Sequence, residues 1–585
     1  MAINTDSTTL SDDYILMNDI TFTDQNNLDF TPIGDWSNAF TGKFDGDGFT
    51  IGGLNLNLES DGEHVLAGLF GYAEGTIKNL TVNGTITATT NTSMAFAAGI
   101  VADADQGVVI MNCHFSGTVA ATSTSSWAKA AGIAGHAEYA EMTGCSSTGS
   151  IAATSAGSTY AGGIVGVANY SEITDCHFSG TFTATATISQ VFAGGIAGYT
   201  QYTDITDCSS TGSVTATSAG DKAYAGGIVG YADQSDITDC YNTGAVSASG
   251  ESHAYAGGIV GEANVSEIDG CNNTGDITTT SDQYSASAGG IVGNAGDVTI
   301  TDCYNTGSVA ATPNDTEAYI EAYAGGIAGN IHTSSMDRCF NTGSVTATGG
   351  GWAGAAGIAG CAGNVTITDC YNTGSVTSND PNYADAGGIV GYTTHATITN
   401  CYNVGQIEAT ASNANAGGIV GYLQIFSNYS DINFCFSLDG SVSGTEDIVG
   451  LVGLLEDDSD GTRPPSFDDG QTSPDISGAY SAADMKAQAT YEDAGWNFED
   501  IWTITSDVNS GFPTLQGTPH ADPDGDGDGT GDGDGDDTGD GGGTGDGTGD
   551  GNGGSGGVST ATIIAIIAGA FVAILVVAYF LTYRK

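Results

Sequence analysis

The sequence predicts an all-β fold: a parallel β-helix of about 13 coils, with about 32 residues and three short strands in each coil. The first observation behind it is a repeat, in which an isoleucine after glycine recurs every 30 to 36 residues from Ile100 to Ile419. The second is a row of cysteines with the same interval, from Cys113 to Cys435. The third is that Thr, Val, Ile and Tyr dominate the repeats, whereas no stretch keeps a 3.6-residue apolar period over a helical length.

The repeat divides into three predicted strands, AGGIVGY, DITDCYN and GSVTATS, separated by Gly, Asn, Asp and Ser turns. The residue after the last glycine of the first strand varies between coils, from His136 to Tyr231 and Glu262, and therefore faces solvent. A two-residue period then turns the isoleucine inward and the next residue, Val or Ala from Val165 to Val420, outward. This apolar stripe is interpreted either as scattered surface atoms or as a face for lateral self-association.

Stacking of the coils places like residues about 4.8 Å apart, so they form ladders. Eleven of the twelve cysteines share one repeat position, and parallel Cβ atoms at that spacing are too far apart for disulfides. We expect a reduced, buried cysteine ladder, and beside it an asparagine ladder bonded along the axis. Cys361 is out of register and outward, so it is predicted to be the one thiol that labels. The ladder residues singled out are Cys176, Cys208, Cys240, Cys271, Cys303, Asn242, Asn305 and Asn372.

The charge balance is 69 acidic against 9 basic residues, a formal charge of −60, which disfavours nucleic acid and anionic lipid headgroups as partners. In-register acids such as Glu172, Asp204 and Asp236 should attract cations, and Arg338 should relieve the repulsion in a second acidic row. Residues 522–537 alternate Asp with Gly, as in calcium-binding repeats or a plain acidic spacer. No other cofactor is predicted. The weak calcium candidates are Asp524, Asp526, Asp528, Asp532, Asp534 and Asp536.

The ends of the chain differ from the repeats. Ala561–Leu581 is an uncharged apolar run that would span about 31 Å as a helix, enough to cross a bilayer core, and Arg584 and Lys585 favour a cytoplasmic C-terminus. The first ten residues show no signal peptide, so either the start is truncated or the rod is tail-anchored in the cytosol. The predicted divisions are an entry segment 1–66, repeats 67–455, a cap 456–520, an Asp/Gly linker 521–557, a transmembrane helix 558–583 and a basic tail 584–585.

Nine Asn-x-Ser/Thr sequons occur, and they imply glycans only if the repeats are exported. They are Asn79, Asn83, Asn91, Asn169, Asn264, Asn272, Asn314, Asn364 and Asn428.

Catalytic patterns are scarce. A polysaccharide lyase needs basic residues near its substrate, and between Ala98 and Leu455 these are Lys129, Lys222 and Arg338. A paired-carboxylate hydrolase, that is, a carbohydrate-active β-helix enzyme, stays an alternative because carboxylates are abundant. Ice binding through Thr-rich strands such as TATATIS is a further alternative, although a regular Thr-x-Thr array is not present in every coil.

The chain resembles the GLUG-repeat proteins, adhesin-like surface proteins of archaea and bacteria. The signature stands as Gly68-Leu-Phe-Gly71 and Gly450-Leu-Val-Gly453, with the opener PIG…FTGKFDGDGFTIGGL and the closer MKAQATYEDAGWNFEDIWTI…GFPTL; the resemblance covers about residues 12–516. It implies a non-enzymatic β-helical surface rod with no catalytic residues, of archaeal type given the acidity and membrane tail. The expected extracellular partner is a surface glycan, an envelope protein or another cell.

Overall fold

The computed structural model describes residues 7–23, 30–314, 320–425, 430–438, 442–444, 448–449, 451–457, 467–468 and most of 481–516. The Asp/Gly linker with its calcium candidates, the apolar run Ala561–Leu581 and Asn428 lie outside the described residues. None of the helices within the described ranges has the length and apolar character needed to cross a membrane.

The described chain is a succession of short strands wound into a parallel β-solenoid with about 13 turns. One coil illustrates the plan: Ala223–Gly226 joins a 13-stranded sheet, and Val229–Asp233, Ile237–Thr238, Tyr241–Asn242 and Val246–Gly250 join a 46-stranded sheet. Each strand pairs with its counterpart one coil before and one coil after, as in Val229 with Val260 and Tyr231 with Glu262.

The 13-stranded sheet receives one strand from each coil. Its strands are Val65–Ala67, Ala95–Ala98, Ala128–Ala131, Thr159–Gly162, Val191–Gly194, Ala223–Gly226, His253–Gly257, Ser285–Gly289, Glu321–Gly325, Trp352–Ala356, Tyr383–Gly387, Asn413–Gly417 and Ile448–Val449.

The 46-stranded sheet holds the rest of each coil. Strands that follow the isoleucine, which is Leu69 in the first of these coils and Leu451 in the last, are Phe70–Ala73, Val101–Ala104, Ala134–Glu138, Val165–Asn169, Ala197–Gln201, Val229–Asp233, Val260–Asn264, Val292–Gly296, Ala328–His332, Ala359–Thr368, Val390–Thr399, Val420–Ile425 and Val452–Asp457. Strands that precede the cysteine position of the coil, or run through it, are Tyr14–Ile15, Lys43–Asp45, Thr76–Thr90, Val109–Ser123, Glu141–Thr143, Glu172–Thr174, Asp204–Thr206, Ile237–Thr238, Glu267–Asp269, Thr299–Thr301, Ser335–Asp337, Asp431–Asn433 and Phe467–Asp468; the first three and the last lie in coils without a cysteine. Strands that follow the cysteine are Ser146–Ser155, His177–Ala186, Ser209–Ser210, Tyr241–Asn242, Asn272–Asn273, Tyr304–Asn305, Phe340–Asn341, Tyr371–Asn372, Tyr402–Asn403 and Phe436–Ser437. The last wall is formed by Ile20–Thr21, Thr50–Ser60, Ser213–Ser218, Val246–Gly250, Ile277–Ser281, Val309–Ala311, Val345–Thr348, Val376–Asn379, Ile407–Thr410 and Val442–Gly444.

The prediction of three strands per coil is wrong, because two of the predicted strands are bent. AGGIVGY is divided at Gly227 and Ile228, which form the corner between the two sheets. DITDCYN is divided before the cysteine by Asp239, whose φ of 52° places it in the left-handed region. This bend turns both Ile237 and Cys240 into the core, although three residues separate them.

The predicted outward stripe of Val and Ala is also wrong, since every residue of that row from Val165 to Val420 is fully buried. The physical reason is that aromatic residues of the 13-stranded sheet pack against this side of the 46-stranded sheet. The rings of Tyr224 and Tyr231 lie 5.4 Å apart edge to face, and Phe192 and Tyr199 repeat the contact at 5.7 Å. The stripe therefore offers no face for lateral self-association.

The asparagines after the cysteines form a continuous chain of buried hydrogen bonds. Asn242 Nδ2 donates to Asn273 Oδ1 at 2.8 Å, and Asn273 donates to Asn305 at the same distance. The chain continues through Asn341 and Asn372 to Asn403. Each amide also donates to the carbonyl two residues later, as Asn242 does to Gly244. The glycine pair makes room for this row, because a Cβ at Gly227 would overlap Asn242 Cγ.

The cysteine row runs parallel to the asparagines. All eleven of its thiols are buried and free of disulfides. Several accept a backbone N–H from the preceding coil, such as Cys208 Sγ from Cys176 at 3.4 Å. The thiols thus pack as small apolar groups that also receive weak hydrogen bonds.

The described part of residues 481–516 packs along the side of the last coils. It contains the helix Gln488–Glu492, the 3-10 turn Asn509–Gly511 and the two-stranded sheet Trp502–Thr503 with Thr514–Leu515; a further helix, Ser7–Ser11, lies near the start of the chain. The buried aromatic residues of the segment 481–516 form one cluster with a row of stacked rings from the coils. The cluster comprises Phe340, Tyr371, Tyr402, Phe436, Met485, Tyr491, Trp496, Trp502, Phe512 and Leu515.

Candidate functional site

The candidate site lies at a corner of the coil where the backbone adopts a left-handed conformation. One residue with φ between 48° and 60° occupies this corner in ten consecutive coils. In three adjacent coils it is tyrosine: Tyr139 (φ 53°), Tyr170 (φ 50°) and Tyr202 (φ 51°). The ten residues are Gln106, Tyr139, Tyr170, Tyr202, Gln234, Val265, Asp297, Thr333, Asn364 and His395.

A second left-handed corner, before the cysteine, shows which residue types this backbone conformation favours. There Asn, Asp or Gly occupies ten of twelve positions, the residues for which this conformation costs least. The twelve are Asn79, Asn112, Gly144, Asp175, Asp207, Asp239, Gly270, Asp302, Arg338, Asp369, Asn400 and Phe434. Tyrosine has no such preference, so the three corner tyrosines are retained against about 1–2 kcal/mol of backbone strain each.

A hydroxyl row fixes the corner that carries the tyrosines. Ser171 Oγ donates to the Asn169 carbonyl at 2.8 Å and accepts the N–H of Ala140 in the preceding coil at 3.0 Å. Thr203 repeats this arrangement one coil later, with Ser171 N–H as its donor. Hydrogen bonds within its own coil and to the neighbouring coil therefore hold the turn, and they fix the tyrosine backbone.

The three tyrosine rings stack along the coil axis and remain exposed. Tyr139 and Tyr170 have ring centres 5.0 Å apart, and Tyr170 and Tyr202 4.9 Å apart, with interplanar angles of 15° and 12°. Their exposed fractions are 54%, 45% and 43%. Because the rings cover one another's faces, their edges and hydroxyl groups point to solvent.

Carboxylates line the groove beside the rings. Glu141, Glu172 and Asp204 each lie two residues after a tyrosine, and the three are register partners in neighbouring strands. Partial burial, with the negative charges of Asp236 and Glu172, raises the pKa of Asp204. Desolvation, together with Tyr202 and Tyr139, raises the pKa of Tyr170.

We name this feature the tyrosine groove. It encloses about 520 Å³. An open groove with a rigid aromatic strip and a row of anionic oxygens can hold an extended ligand that runs along the axis and carries positive charge. It is lined by Gly107, Val109, Tyr139, Ala140, Glu141, Tyr170, Ser171, Glu172, Tyr202 and Asp204.

Sequence reasoning noted Glu172 and Asp204 but missed the tyrosines. The available signal was their spacing, since Tyr139, Tyr170 and Tyr202 follow one another at 31 and 32 residues, the repeat interval itself. The predicted relief of acidic repulsion has a direct counterpart in the structure, where Arg338 donates to both carboxylate oxygens of Asp302 at 2.7 Å.

The described sequons differ in accessibility. Asn91, Asn314 and Asn364 are exposed, whereas Asn83, Asn169 and Asn272 are half-buried. Four of the sequon amides donate hydrogen bonds to side chains: Asn79 to Asp45, Asn91 to Asp61, Asn264 to Tyr231 and Asn314 to Asp282. Glycosylation of these four would have to break the existing bonds.

Cys361 lies at the outward position of its strand but is only partly exposed, in the seam between the two sheets. Burial, followed by the charges of Glu321 and Asp385, raises its pKa to about 12. Within the described residues there is no cluster of three or more His, Cys, Asp or Glu arranged to hold a metal ion.

Comparisons with known proteins identify the repeat motif. The family model described as "The GLUG motif" matches residues 157–183, 193–215, 223–247 and 382–408. A "Putative Gly-rich membrane protein" of Evansella cellulosilytica is 35% identical over 104 residues, which is 17% of this chain and 12% of the relative's length. A crystal structure of a "putative immunoglobulin A1 protease" from Bacteroides ovatus is similar over 48% of this chain and 77% of that chain, with 17% identity and a TM-score of 0.29.

Proposed function

We propose that this solenoid with GLUG motifs is a non-enzymatic, adhesin-like binding protein whose tyrosine groove holds an extended, positively charged partner. The observation that carries the proposal is the set of three stacked tyrosines kept in a strained backbone conformation beside three in-register carboxylates. Residues held in sparsely populated backbone conformations are concentrated at functional sites.

The sign of the partner's charge follows from the electrostatics. The chain has a formal charge of −60, and in-register acids repel one another unless cations lie between them. An amine or guanidinium above the groove would be attracted by Glu141, Glu172 and Asp204. It would also contact the electron-rich tyrosine rings at the ends of the stack.

Binding of poly-lysine, with poly-glutamate as the comparison, tests the proposal. We expect the double variant Glu172→Gln, Asp204→Asn to bind poly-lysine at least about tenfold more weakly than the wild type in 0.15 M salt. The matched control, Glu63→Gln with Glu408→Gln, removes two exposed acids away from the groove and should bind like the wild type. Equal losses in both double variants would show a general charge effect and contradict the proposal.

One observation favours a second function, hydrolysis of a glycan. Glu172 and Asp204 occupy paired positions in adjacent strands, whose spacing of about 4.8 Å approaches the carboxyl separation of about 5–5.5 Å in retaining glycosidases. The raised pKa of Asp204 would suit a general acid. Release of reducing ends from a polysaccharide panel, abolished by Glu172→Gln, would establish this activity; no release would exclude it for the substrates in the panel.

We further propose that the protein is anchored in the cell membrane by Ala561–Leu581, as a single-pass protein with the solenoid outside and the C-terminus in the cytoplasm. The apolar run supports this, as does the description of the relative as a membrane protein. Protease treatment of intact cells should release solenoid fragments. Complete protection, with release only after lysis, would place the solenoid in the cytosol instead.

A further inference from the structure

Lys129 occupies an unusual position in the 13-stranded sheet. It lies between two aromatic register partners, Phe96 in the preceding coil and Tyr160 in the following one. Its side chain is only 8% exposed, and its Nζ atom lies 5.0 Å from the Phe96 ring centre. Within the described residues the Lys129 Nζ atom has no hydrogen-bond acceptor and no ion pair, and its contact is with the Phe96 ring. Burial lowers its pKa to about 8, against the opposing effect of Asp103 and Glu138.

Two half-exposed tryptophans flank Lys129. Trp36, 46% exposed, contacts the Phe96 ring edge to face at 6.0 Å. Trp127, also 46% exposed, contacts the Tyr160 ring at 6.3 Å. Phe96 and Tyr160 are the register partners of Lys129 in the preceding and following coils, so each indole packs on a ring that neighbours Lys129.

The polar groups beside Trp36 are already ordered. Trp36 Nε1 donates to Asp103 Oδ2 at 2.7 Å, and His136 Nδ1 donates to Asp103 Oδ1 at 2.8 Å. The ring of His64 packs against Trp36 at 4.8 Å. The indole of Trp36 is thus held in place although nearly half of it is exposed, as in a preorganised binding site.

The contact between the Lys129 amine and the Phe96 ring gives this residue a structural role, but it does not explain why a lysine stands in an aromatic row. The following coils place Tyr160, Phe192 and Tyr224 at the equivalent position, where their rings stack face to face. A lysine interrupts that row, and burial of a charged amine without an acceptor is unfavourable. An acceptor brought by a ligand would remove that penalty.

We propose that Trp36, Asp103, Trp127, Lys129 and His136, named here the Lys129 site, bind an uncharged pyranose residue of a glycan. The indole faces would pack on the apolar faces of the sugar, and a sugar hydroxyl would accept a hydrogen bond from Nζ. An anionic sugar would be repelled by Asp103, Glu138 and the net charge. A cationic sugar would be repelled by the charged amine of Lys129 within the site. None of the five residues lines the tyrosine groove.

Titration of the full chain with dextran, mannan and a soluble β-glucan, followed by tryptophan fluorescence and calorimetry, tests this site. Polygalacturonate serves as the anionic comparison. We expect one or more of the neutral polysaccharides to bind, and polygalacturonate to bind at least about tenfold more weakly. Absence of binding by all three neutral polymers, or preference for polygalacturonate, would overturn the proposal.

Two variants separate ligand binding from folding. Lys129→Met keeps the side-chain volume and removes the buried charge, so we expect an unchanged or higher melting temperature together with at least about tenfold weaker binding. Trp127→Ala should weaken binding similarly. Tyr383→Ala, which removes another half-exposed ring, should bind like the wild type. Wild-type affinity in Lys129→Met would refute the role of the amine.

The proposals for the tyrosine groove and for the Lys129 site can be refuted independently. The double variant Glu172→Gln, Asp204→Asn should keep its affinity for the neutral polysaccharide. Loss of sugar binding in that variant would contradict a separate site at Lys129.

Discussion

Trp502 Nε1 donates a hydrogen bond of 3.1 Å to Asp369 Oδ1 across 133 residues of sequence, and it ties the C-terminal segment to the side of the solenoid. Asp369 is the left-handed residue before Cys370, so its position is fixed by the coil. Burial raises its pKa to about 6, although the bond from Trp502 opposes the shift. The carboxyl therefore stays protonated to a higher pH in the folded state than in the unfolded chain.

The first prediction concerns pH. Because the folded pKa exceeds the unfolded value of about 3.9, the contribution of Asp369 to stability is full below pH 4 and is lost as the pH rises through about 6. We expect Asp369→Asn, which stays neutral, to match the wild type at pH 4 and to be more stable by up to about 3 kcal/mol at pH 8. Melting temperatures across that range measure the difference.

An appropriate control is Asp500→Asn in the C-terminal segment, which removes one charge at a less buried carboxyl. Its stability difference from the wild type should vary less with pH than that of Asp369→Asn. A pH-independent effect of Asp369→Asn would contradict the raised pKa.

The second prediction concerns the asparagine chain. Asn305→Ala removes the acceptor of Asn273 and the donor to both Asn341 and the Gly307 carbonyl, all within the core. Each orphaned buried group costs about 1–3 kcal/mol, so we expect a loss of about 3 kcal/mol or more in the free energy of unfolding. Asn272→Ala, one residue before the ladder position and half-buried, should cost less than about 1 kcal/mol. Urea unfolding compares the two variants, and equal effects would refute the cooperative chain.

The solenoid could be predicted from the sequence because its contacts repeat at one interval. Ile237 and Cys240 meet their counterparts in adjacent coils, so spacing alone revealed the stacking. The valine row was misplaced because its burial depends on Tyr224, which belongs to another sheet and meets Tyr231 only after the chain turns at Gly227. The alternation of side-chain direction along one strand carries no information about such a contact between two sheets.

The acids of the candidate site could be recognised in the sequence as a row, but its tyrosines were not recognised. Tyr170 stands at a position that other coils fill with Gln234, Val265 or Asp297, so it did not look like part of the repeat. Their spacing at the repeat interval places them at one position of the coil, and the left-handed backbone shows in addition that tyrosine is costly there.

The third prediction concerns thiol reactivity. Since the thiolate is the reactive form, a pKa of about 12 leaves little of it on Cys361 at pH 8. We expect iodoacetamide to modify Cys361 slowly in the native protein, and to leave the eleven ladder cysteines unmodified until denaturant is added. Peptide mass spectrometry at timed intervals distinguishes the sites. Rapid labelling of several ladder thiols in the native protein would show that the coils open.

The last prediction tests whether strain at the tyrosine groove is retained for binding. Asn adopts the left-handed conformation more readily than Tyr or Val, so Tyr170→Asn and Val265→Asn should each relieve strain at the same corner, by about 1 kcal/mol. Val265 is 54% exposed and does not line the groove. We expect Val265→Asn to have a raised melting temperature, whereas in Tyr170→Asn the loss of two stacked ring contacts offsets the relieved strain. Only Tyr170→Asn should bind poly-lysine more weakly, since it removes the middle ring of the stack. If Tyr170→Asn were more stable and bound poly-lysine as well as Val265→Asn, the tyrosines would have no part in binding.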